Sequence, residues 1–379
     1  MLQGKPRLFI ALLISPLLLF FLYKILDLPA LLTATLFLIG GLLGATLNYF
    51  QSGFSSSFRS FILEKRTVGM RAIIWMLGIA ILLFAPFLAM GSWQNQTFNG
   101  FIRTLSLAVP IGAFIFGIGM QIGCGCTSGT LNRVGQLQTL SVSTLFFMVI
   151  GGTLAAYTFE DWGTLPAIEP FAFQAEFGWI LGILIQLTLL ATLYIWLIRL
   201  EKRNHPDYER LFKFQGKNTI NHPYLLAAFS LAILNTSLLF ISGTPWSISS
   251  IFPYWGTHLI DLFSLDIDWS FWDYSMENTT RMNQGLLENT VSLTTMGVVF
   301  GAFTVSLFRP RVKVSINMNR LLGSVSGGLI MGFGAVMASG CNIGAFFSGI
   351  ASGSLHGWVW LVFALMGNVV GLMIRKRLI

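Results

Sequence analysis

Apolar stretches long enough to cross a lipid bilayer recur along the whole of this chain, and they constrain its fold more than any other feature. A helix needs about 20 residues to cross the hydrocarbon core. Only 10% of the 379 residues are charged, whereas about 25% are charged in an ordinary soluble domain. The pattern predicts an all-α integral membrane protein in which no soluble domain of any size remains.

Polar, proline and glycine breaks divide the apolar sequence into about ten predicted spans of roughly 20 residues each. The predicted spans are residues 8–26, 30–50, 70–90, 104–122, 139–158, 177–199, 223–241, 285–308, 321–338 and 355–374. The first span follows Lys5 and Arg7 and so resembles a secretory signal peptide. Because no small-residue cleavage site precedes the polar turn, it is interpreted as a retained helix.

The net charge of +8 lies almost entirely in the segments that connect these spans. Every second segment is basic, most clearly residues 200–222, and the others are acidic, as in 159–176 and 261–277. Because basic segments stay on the cytoplasmic side, both termini are predicted to be cytoplasmic. The charge is therefore explained by orientation in the lipid bilayer, and no nucleic acid is expected as a partner.

A second feature is an internal repeat, because residues 112–130 align without a gap onto residues 327–345. The positions that coincide are Gly112, Gly117, Gly119, Gly125, Cys126 and Gly129 with Gly327, Gly332, Gly334, Gly340, Cys341 and Gly344. The two copies lie five spans apart and therefore run through the membrane in opposite directions. The sequence thus predicts two inverted five-span repeats.

The repeat also predicts how the chain is divided. Residues 1–158 form the first inverted repeat, residues 159–176 an external acidic linker, and residues 177–379 the second repeat, which contains the cytoplasmic basic loop 200–222. Segments 52–58 and 242–247 follow equivalent spans and are too short to cross the bilayer. They predict short re-entrant helices.

Two cysteine motifs interrupt or end apolar helices at equivalent places, residues 123–130 (GCGCTSGT) and 339–344 (SGCNIG). Non-helical backbone persists at membrane depth only where it lines a cavity or is packed in protein, and broken helices in both halves of a transporter indicate its binding site. Unpaired N–H groups and half-helix N-termini at such a break bind anions. The predicted pathway residues are Cys126, Cys341, Cys124, Gly125, Gly129, Ser128, Gly340, Asn342, Gly344 and Ser56.

The thiols favour a sulfur-bearing substrate, because a soft and weakly donating S–H group tolerates a large polarizable sulfur atom. One buried cysteine is more often a small hydrophobic residue, but the pseudo-symmetry of Cys126 and Cys341 favours a function. Cys124 lies opposite Ser339 and fits either interpretation. Ser128 and Asn342 either line the pathway or cap helices, and the serine run around Ser56 either coordinates an oxyanion or forms a turn. No catalytic motif is present, so neither an enzyme nor a cofactor is predicted.

At these motifs the sequence resembles the YeeE/YedE family of sulfur transporters. Both halves of that family carry Gly-Cys-x-x-Gly elements like residues 125–129 and 340–344, and its Gly-x-Pro-Trp-x-Ile-Thr stretch is similar to residues 243–249 (GTPWSIS). The resemblance covers nearly the whole chain. The family pattern has a further cysteine in the short segment after the early span, where this chain has Ser55, Ser56 and Ser57.

The resemblance implies uptake of thiosulfate, or of a related small reduced-sulfur anion, across the bacterial inner membrane through a central pore with cysteines along the path. It also implies a small cytoplasmic sulfur carrier of the TusA type as a partner, or a role in selenium handling. Two alternatives remain open. One is a membrane thiol enzyme that passes sulfur from a persulfide on Cys126 to a cytoplasmic carrier, and the other is a permease for selenium species or a soft metal ion.

Overall fold

The computed structural model describes residues 29–94, 96–215, 218–309 and 316–378, together with Pro16 and Phe20. In this part of the chain, 8 helices are long and apolar enough to cross a membrane. The protein is therefore a mostly helical, multi-pass membrane protein. The predicted span 8–26 lies outside the described residues apart from Pro16 and Phe20, so the total of about ten spans stays a prediction.

The described α-helices follow one another from α1 to α17. They are α1 Pro29–Phe50, α2 Phe54–Glu64, α3 Val68–Met90, α4 Ala108–Ile122, α5 Thr127–Gly135, α6 Thr139–Tyr157, α7 Phe159–Gly163, α8 Phe173–Phe177, α9 Trp179–Asn204, α10 Pro223–Ser242, α11 Ile251–Leu262, α12 Asp273–Glu277, α13 Thr279–Met282, α14 Thr290–Ser306, α15 Met318–Met337, α16 Gly349–Ala351 and α17 Leu355–Leu378. A π-helix, Asn342–Ser348, precedes α16. Each predicted span from 30–50 onward overlaps one helix, although α14, with 17 residues, is shorter than the eight helices counted above.

Two helices begin later than the sequence predicted. Helix α4 begins at Ala108 instead of residue 104, because Leu105–Ser106 pairs as a short strand with Ala167–Ile168. Helix α14 begins at Thr290 instead of residue 285, because the Asn289 side chain caps it, accepting the N–H groups of Val291 and Ser292 at 3.0 Å. In both cases a local hydrogen bond competes with the apolar pattern.

Short antiparallel strand pairs connect the helices outside the bundle. They are β1 Ser92–Trp93 with β2 Gln96–Thr97, β3 Leu105–Ser106 with β4 Ala167–Ile168, and β5 Phe212–Gln215 with β6 Asn218–Asn221. The β3–β4 pair ties the segment before α4 to the segment that the sequence described as a linker. That segment contains α7 and α8 as well as β4.

Helix α2 is the short element that follows the first described span. It has 11 residues, and at about 1.5 Å per residue it is too short to cross a bilayer. Gln51 has a left-handed backbone (φ 52°) and Gly53 is extended (φ −142°), so α2 leaves the direction of α1. The second predicted short helix, at 242–247, is wrong: residues 243–250 are not helical, because Gly243 adopts a left-handed backbone that ends α10, and α11 begins only at Ile251.

The glycine repeats bring the central helices into backbone contact. A Cβ added at Gly119 would lie 2.7 Å from the Met331 nitrogen, and one at Gly334 would lie 2.6 Å from the Phe116 nitrogen, so α4 and α15 touch closely. Helix α17 also packs on α4, and α6 packs on α15. These helices place the two cysteine motifs side by side in the centre of the bundle.

Candidate functional site

Helices α4 and α15 end in the same way at equivalent positions. The last helical hydrogen bonds run from the Gly123 N–H to the Gly119 oxygen (2.8 Å) and from the Ala338 N–H to the Gly334 oxygen (2.9 Å). The next residues, Cys124 and Ser339, both have left-handed backbones, with φ values of 60° and 50°. Each break is followed by a Gly-Cys pair and a new helical segment, α5 or the π-helix.

Cys126 caps the first of these segments. Its backbone is extended (φ −77°, ψ 174°), and its sulfur accepts the Gly129 N–H at 3.4 Å. The Ser128 hydroxyl oxygen lies 3.4 Å from the same sulfur. The Cys126 thiol is thus buried and oriented by the N-terminus of α5.

Cys341 occupies the equivalent place before the π-helix. It is fully buried and its backbone is also extended (φ −107°, ψ −169°). Its sulfur lies near the N–H groups of Ile343 and Gly344, near the Thr127 hydroxyl, and close enough to Cys126 for the two thiols to interact electrostatically. The structure therefore brings both predicted cysteines together at the N-terminal ends of two helical segments.

Several buried polar groups beside these thiols have no hydrogen-bond partner. Both amide atoms of Asn342 are unpaired, although Asn342 is 0% exposed. The hydroxyls of Thr127, Thr130 and Ser55 are buried and unpaired as well. Since buried polar groups in proteins are nearly always paired, these donors and acceptors remain available to a polar ligand or to water. Asn342 was among the predicted pathway residues, whereas Thr127 and Thr130 were not, although they follow Cys126 in the same motif.

A cavity of about 670 Å³, here called the basic vestibule, opens beside Cys126. Its lining residues are Leu47, Gln51, Ser52, Gly53, Ser55, Ser56, Arg59, Cys124, Gly125, Cys126, Gly129, Asn132, Arg133 and Gln136. Arg375 lies at its edge, where it interacts electrostatically with Arg59 and Arg133. The basic vestibule therefore combines positive charge with two thiols.

The predicted residues Gly125, Cys124 and Ser56 have specific places in this vestibule. The Arg133 guanidinium covers Gly125 so closely that an added Cβ would lie 1.6 Å from Nη2, so a side chain at this position would displace the guanidinium. The Cys124 thiol is half-buried and faces the Ile122 carbonyl oxygen at 3.7 Å. The Ser56 hydroxyl donates to the Gly53 carbonyl at 2.9 Å, which leaves only its oxygen lone pairs toward the cavity.

A second cavity of about 1180 Å³, which includes space open to solvent, lies at the other end of α4 and is here called the serine vestibule. Its lining includes Ser247, Ser249, Ser250, Arg103, Arg281 and, next to the second motif, Ser339. Helix α4 has 15 residues, so at about 1.5 Å per residue its ends are roughly 22 Å apart. Cys126 lines the basic vestibule, and Cys341 lies two residues beyond Ser339, which lines the serine vestibule.

An aromatic cluster packs the short helix α2 against the π-helix. The ring of Phe346 lies 6.0 Å from Phe54 and 6.2 Å from Phe58, and it stacks on Trp360 at 6.0 Å between ring centroids. The Trp360 indole donates to the Gly340 carbonyl at 3.1 Å. This contact holds the carbonyl before Cys341 in place.

The segment with the Gly-x-Pro-Trp pattern is fixed to the π-helix by a buried polar network that sequence analysis missed. The Trp246 N–H donates to Asn235 Oδ1 at 2.7 Å, and the Ser348 hydroxyl donates to the Trp246 carbonyl at 2.6 Å. Asn235 Nδ2 donates to the same Ser348 oxygen at 3.1 Å. Asn235 and Ser348 come from distant parts of the chain, so no local pattern pairs them.

Within the residues that the structure describes, no group of three or more His, Cys, Asp or Glu side chains is arranged to hold a metal ion.

Comparisons with known proteins point in the same direction as the geometry. A family model described as Sulphur transport matches residues 51–370. The thiosulfate transporter TsuA of Spirochaeta thermophila is 26% identical over 353 residues, covering 87% of this chain and 95% of that protein. TsuA of Escherichia coli K12 is 24% identical over 282 residues, covering 69% and 72%.

The probable transporter YedE of Salmonella typhimurium is 32% identical over 151 residues. That alignment covers 38% of this chain and only 36% of YedE, so the match spans little more than a third of that relative. All of these relatives carry names of transporters.

Proposed function

This chain belongs to the sulphur transport family, and from that premise we propose that it takes up thiosulfate, or a related small reduced-sulfur anion, through a central cysteine-lined pore. The observation that carries the proposal is the proximity of Cys126, which lines the basic vestibule, to Cys341, which lies two residues beyond Ser339 in the lining of the serine vestibule. The relative that aligns over most of its own length is named a thiosulfate transporter. A membrane thiol enzyme is not retained, because the family and these relatives are transporters.

The residues around the thiols match the two ends of a thiosulfate ion. The S–H groups of Cys126 and Cys341 donate weak hydrogen bonds suited to its terminal sulfur. The Ile343 and Gly344 N–H groups and the unpaired amide of Asn342 suit its oxygen atoms, helped by the positive end of the helical segment. Several weak sites in series favour passage of an ion over tight retention.

In this proposal the two halves, residues 1–158 and 177–379 joined by 159–176, are inverted repeats. Support comes from the equivalent left-handed residues Cys124 and Ser339. Further support comes from packing. In the repeat, α4 corresponds to α15 and α6 to α17, so the α6–α15 pair corresponds to the α17–α4 pair, and both pairs pack closely. A binding site at the interface of such repeats can be exposed to either side of the membrane in turn.

The proposed orientation places both termini and the basic vestibule on the cytoplasmic side of the bacterial inner membrane. The arginines Arg59, Arg133 and Arg375 around that vestibule follow the positive-inside rule. A small sulfur carrier of the TusA type would then receive the anion or its sulfur beside Cys124. The orientation is tested by fusing to the C-terminus either a reporter that is active only in the cytoplasm or one that is active only in the periplasm. If the cytoplasmic reporter is inactive and the periplasmic reporter is active, the proposed orientation is reversed.

The test of the function is uptake of radiolabelled thiosulfate by a bacterium that lacks sulfate and thiosulfate uptake systems. Wild type is expected to restore uptake, and Cys126→Ala and Cys341→Ala are each expected to lower the initial rate by roughly tenfold or more, equivalent to losing about one hydrogen bond at the pore. Ser326→Ala, a change at a half-buried position on α15 whose hydroxyl donates only to the Leu322 carbonyl of its own helix, serves as the control for insertion. Full uptake by both cysteine variants would exclude the thiols from the pathway.

A further inference from the structure

Four segments meet on the face of the molecule that carries the serine vestibule. The β3–β4 pair joins residues 91–107 to 158–178, and the Phe173 N–H donates to the Gly353 carbonyl at 2.9 Å, which joins 158–178 to 338–354. The Asn99 N–H donates to the Gly243 carbonyl at 2.7 Å and so brings in residues 243–289. These four segments define one end of the helix bundle, here called the acidic face.

The acidic face carries most of the acids of the chain. They are Glu160, Asp161, Glu169, Glu176, Asp261, Asp266, Asp268, Asp273, Glu277 and Glu288. Among the described residues of the four segments, the lysines and arginines are Arg103 and Arg281 alone. Both of these exceptions line the serine vestibule.

Arg103 and Arg281 lie close to one another inside that vestibule. Burial, and then the Arg281 guanidinium, lower the pKa of Arg103, which means that the two like charges face a shared, partly dehydrated space. Among the described residues, neither guanidinium has a carboxylate within salt-bridge distance. Arg103 stacks over the Phe101 ring at 4.6 Å, and Arg281 makes a long contact of 3.5 Å with the Asn278 side-chain oxygen.

One carboxylate, Glu277, also lines the vestibule. The local charge of the described lining is therefore positive, since two guanidinium groups oppose one carboxylate. The hydroxyls of Ser247, Ser249 and Ser250 lie on the same surface. Guanidinium forks with nearby hydroxyls are the arrangement that recognises tetrahedral oxyanions, and two adjacent positive charges favour a doubly charged one.

We propose that Arg103 and Arg281 form a capture site for a doubly charged tetrahedral oxyanion at the mouth of the pathway, with the serine hydroxyls completing its hydrogen bonds. An acidic face would otherwise repel such an ion, and a positive patch inside a cavity reverses the local potential and raises its local concentration. The site ends at Ser339, two residues before Cys341. This inference rests on the proposed transport of a sulfur oxyanion.

The capture site selects by charge and shape only. Guanidinium and hydroxyl groups bind the oxygen atoms that sulfate and thiosulfate have in common, whereas the thiols deeper in the bundle respond to the terminal sulfur of thiosulfate. Selection therefore occurs in two stages. Sulfate is expected to enter the vestibule and compete with thiosulfate without being transported well.

The test measures initial rates of thiosulfate uptake against concentration for wild type, Arg103→Gln and Arg281→Gln. Each arginine variant is expected to raise KM roughly tenfold with little change in maximal rate, the loss typical of one charge-assisted contact. Glu277→Gln is expected to lower KM, because it removes the opposing charge. Arg203→Gln makes the same change in net charge at an exposed position at the end of α9 and should leave KM unchanged.

Inhibition by inorganic sulfate, added in excess, is the second measurement. Its inhibition constant would not change in the arginine variants if the arginines had a purely structural role. Sulfate should inhibit wild type competitively, and its inhibition constant should rise in parallel with KM in Arg103→Gln. Arg103→Lys should recover part of the affinity, since it restores the charge without the planar fork. An unchanged KM in both arginine variants, or an equal change in Arg203→Gln, would overturn the capture site.

Failure of the capture site and failure of the proposed function give different results. If wild type does not transport thiosulfate at all, the proposed function is wrong, and binding of radiolabelled sulfate to the purified protein then tests the capture site by itself. Sulfate binding that is lost in Arg103→Gln would support the site in that case. Absence of sulfate binding by wild type would overturn it.

Discussion

At the residue scale, Asn342 is placed where its side chain costs stability. Its amide nitrogen and oxygen are both buried without a partner beside Cys341. A buried polar group left unpaired costs about 1–3 kcal/mol. Such an arrangement is consistent with a residue that serves a passing ligand and not the fold.

The substitution Asn342→Leu tests this interpretation, because leucine has the same branched shape and no polar atoms to bury. We expect the thermal unfolding midpoint in detergent to stay unchanged or to rise, while the rate of thiosulfate uptake falls by roughly tenfold or more. The same substitution at Asn235 is the matched control. Asn235 donates to Ser348 (3.1 Å) and accepts from Trp246 (2.7 Å), so Asn235→Leu should lower the midpoint. A lower midpoint for Asn342→Leu would instead indicate a structural role.

At the element scale, the packing of α1 against α14 depends on glycines whose positions allow no side chain. A Cβ added at Gly44 would lie 1.9 Å from the Val298 carbonyl oxygen, and one at Gly301 would lie 1.8 Å from the Gly41 oxygen. The hydrophobic effect does not drive helices together in lipid, so membrane helices associate largely through dispersion forces. Small residues strengthen these forces because they let the helix backbones approach closely. The helix pair therefore depends on backbone contact.

A pair of alanine substitutions in α1 separates backbone contact from helix propensity. Gly44→Ala is expected to destabilise the protein by about 1–3 kcal/mol, because the helices must move apart. Gly41→Ala lies one turn away on the same helix, where an added Cβ would come no closer than 3.8 Å to another helix. It should be neutral or slightly stabilising, since alanine favours a helix over glycine. Equal unfolding midpoints for the two variants would contradict the contact described here.

At the scale of the whole molecule, a buried ion pair joins two distant parts of the chain. Arg71 Nη2 in α3 lies 2.8 Å from Glu201 Oε2 in α9, and both side chains are 0% exposed. The Thr67 hydroxyl donates to the same carboxylate oxygen at 2.5 Å, and Arg71 Nη1 donates to the Tyr208 hydroxyl at 2.8 Å. This cluster ties the start of the segment after α9 to the first half of the chain.

The substitution Glu201→Gln leaves the Arg71 charge buried without its counter-ion. We expect a loss of about 3–5 kcal/mol in the free energy of unfolding, measured by denaturant titration in detergent. The double variant Arg71→Met/Glu201→Leu should recover much of that loss, since it removes both charges. Asp207→Asn is the control. It breaks the Arg66–Asp207 pair, whose side chains are 30% and 72% exposed, and exposed pairs contribute little to stability. A Glu201→Gln variant as stable as wild type would show that the ion pair does not hold α3 and α9 together.

Much of the fold could be predicted because the signals for it are local. Apolar length predicted each described long helix to within a few residues, and the glycine-cysteine spacing predicted the breaks at Ile122 and Met337, where α4 and α15 end. The starts of α4 and α14 were predicted less well, because strand β3 and the Asn289 cap depend on hydrogen bonds that hydropathy does not reveal. The pathway residues of the two motifs remain proposals, although the structure brings them together.

The sequence by itself determined that this protein lies in a membrane, which residues form its long helices, and which cysteines occupy matching positions of the repeat. The physical reason is that bilayer thickness and repeat spacing are both recorded in the order of residues along the chain. Only the tertiary structure decided that Cys126 and Cys341 meet, that Asn342 is left unpaired, and that Arg103 and Arg281 share one vestibule. These relations join residues far apart in the chain. They arise from the close packing of α4 and α15 and from loops that converge at one end of the bundle. No single segment of the sequence specifies either the packing or the convergence.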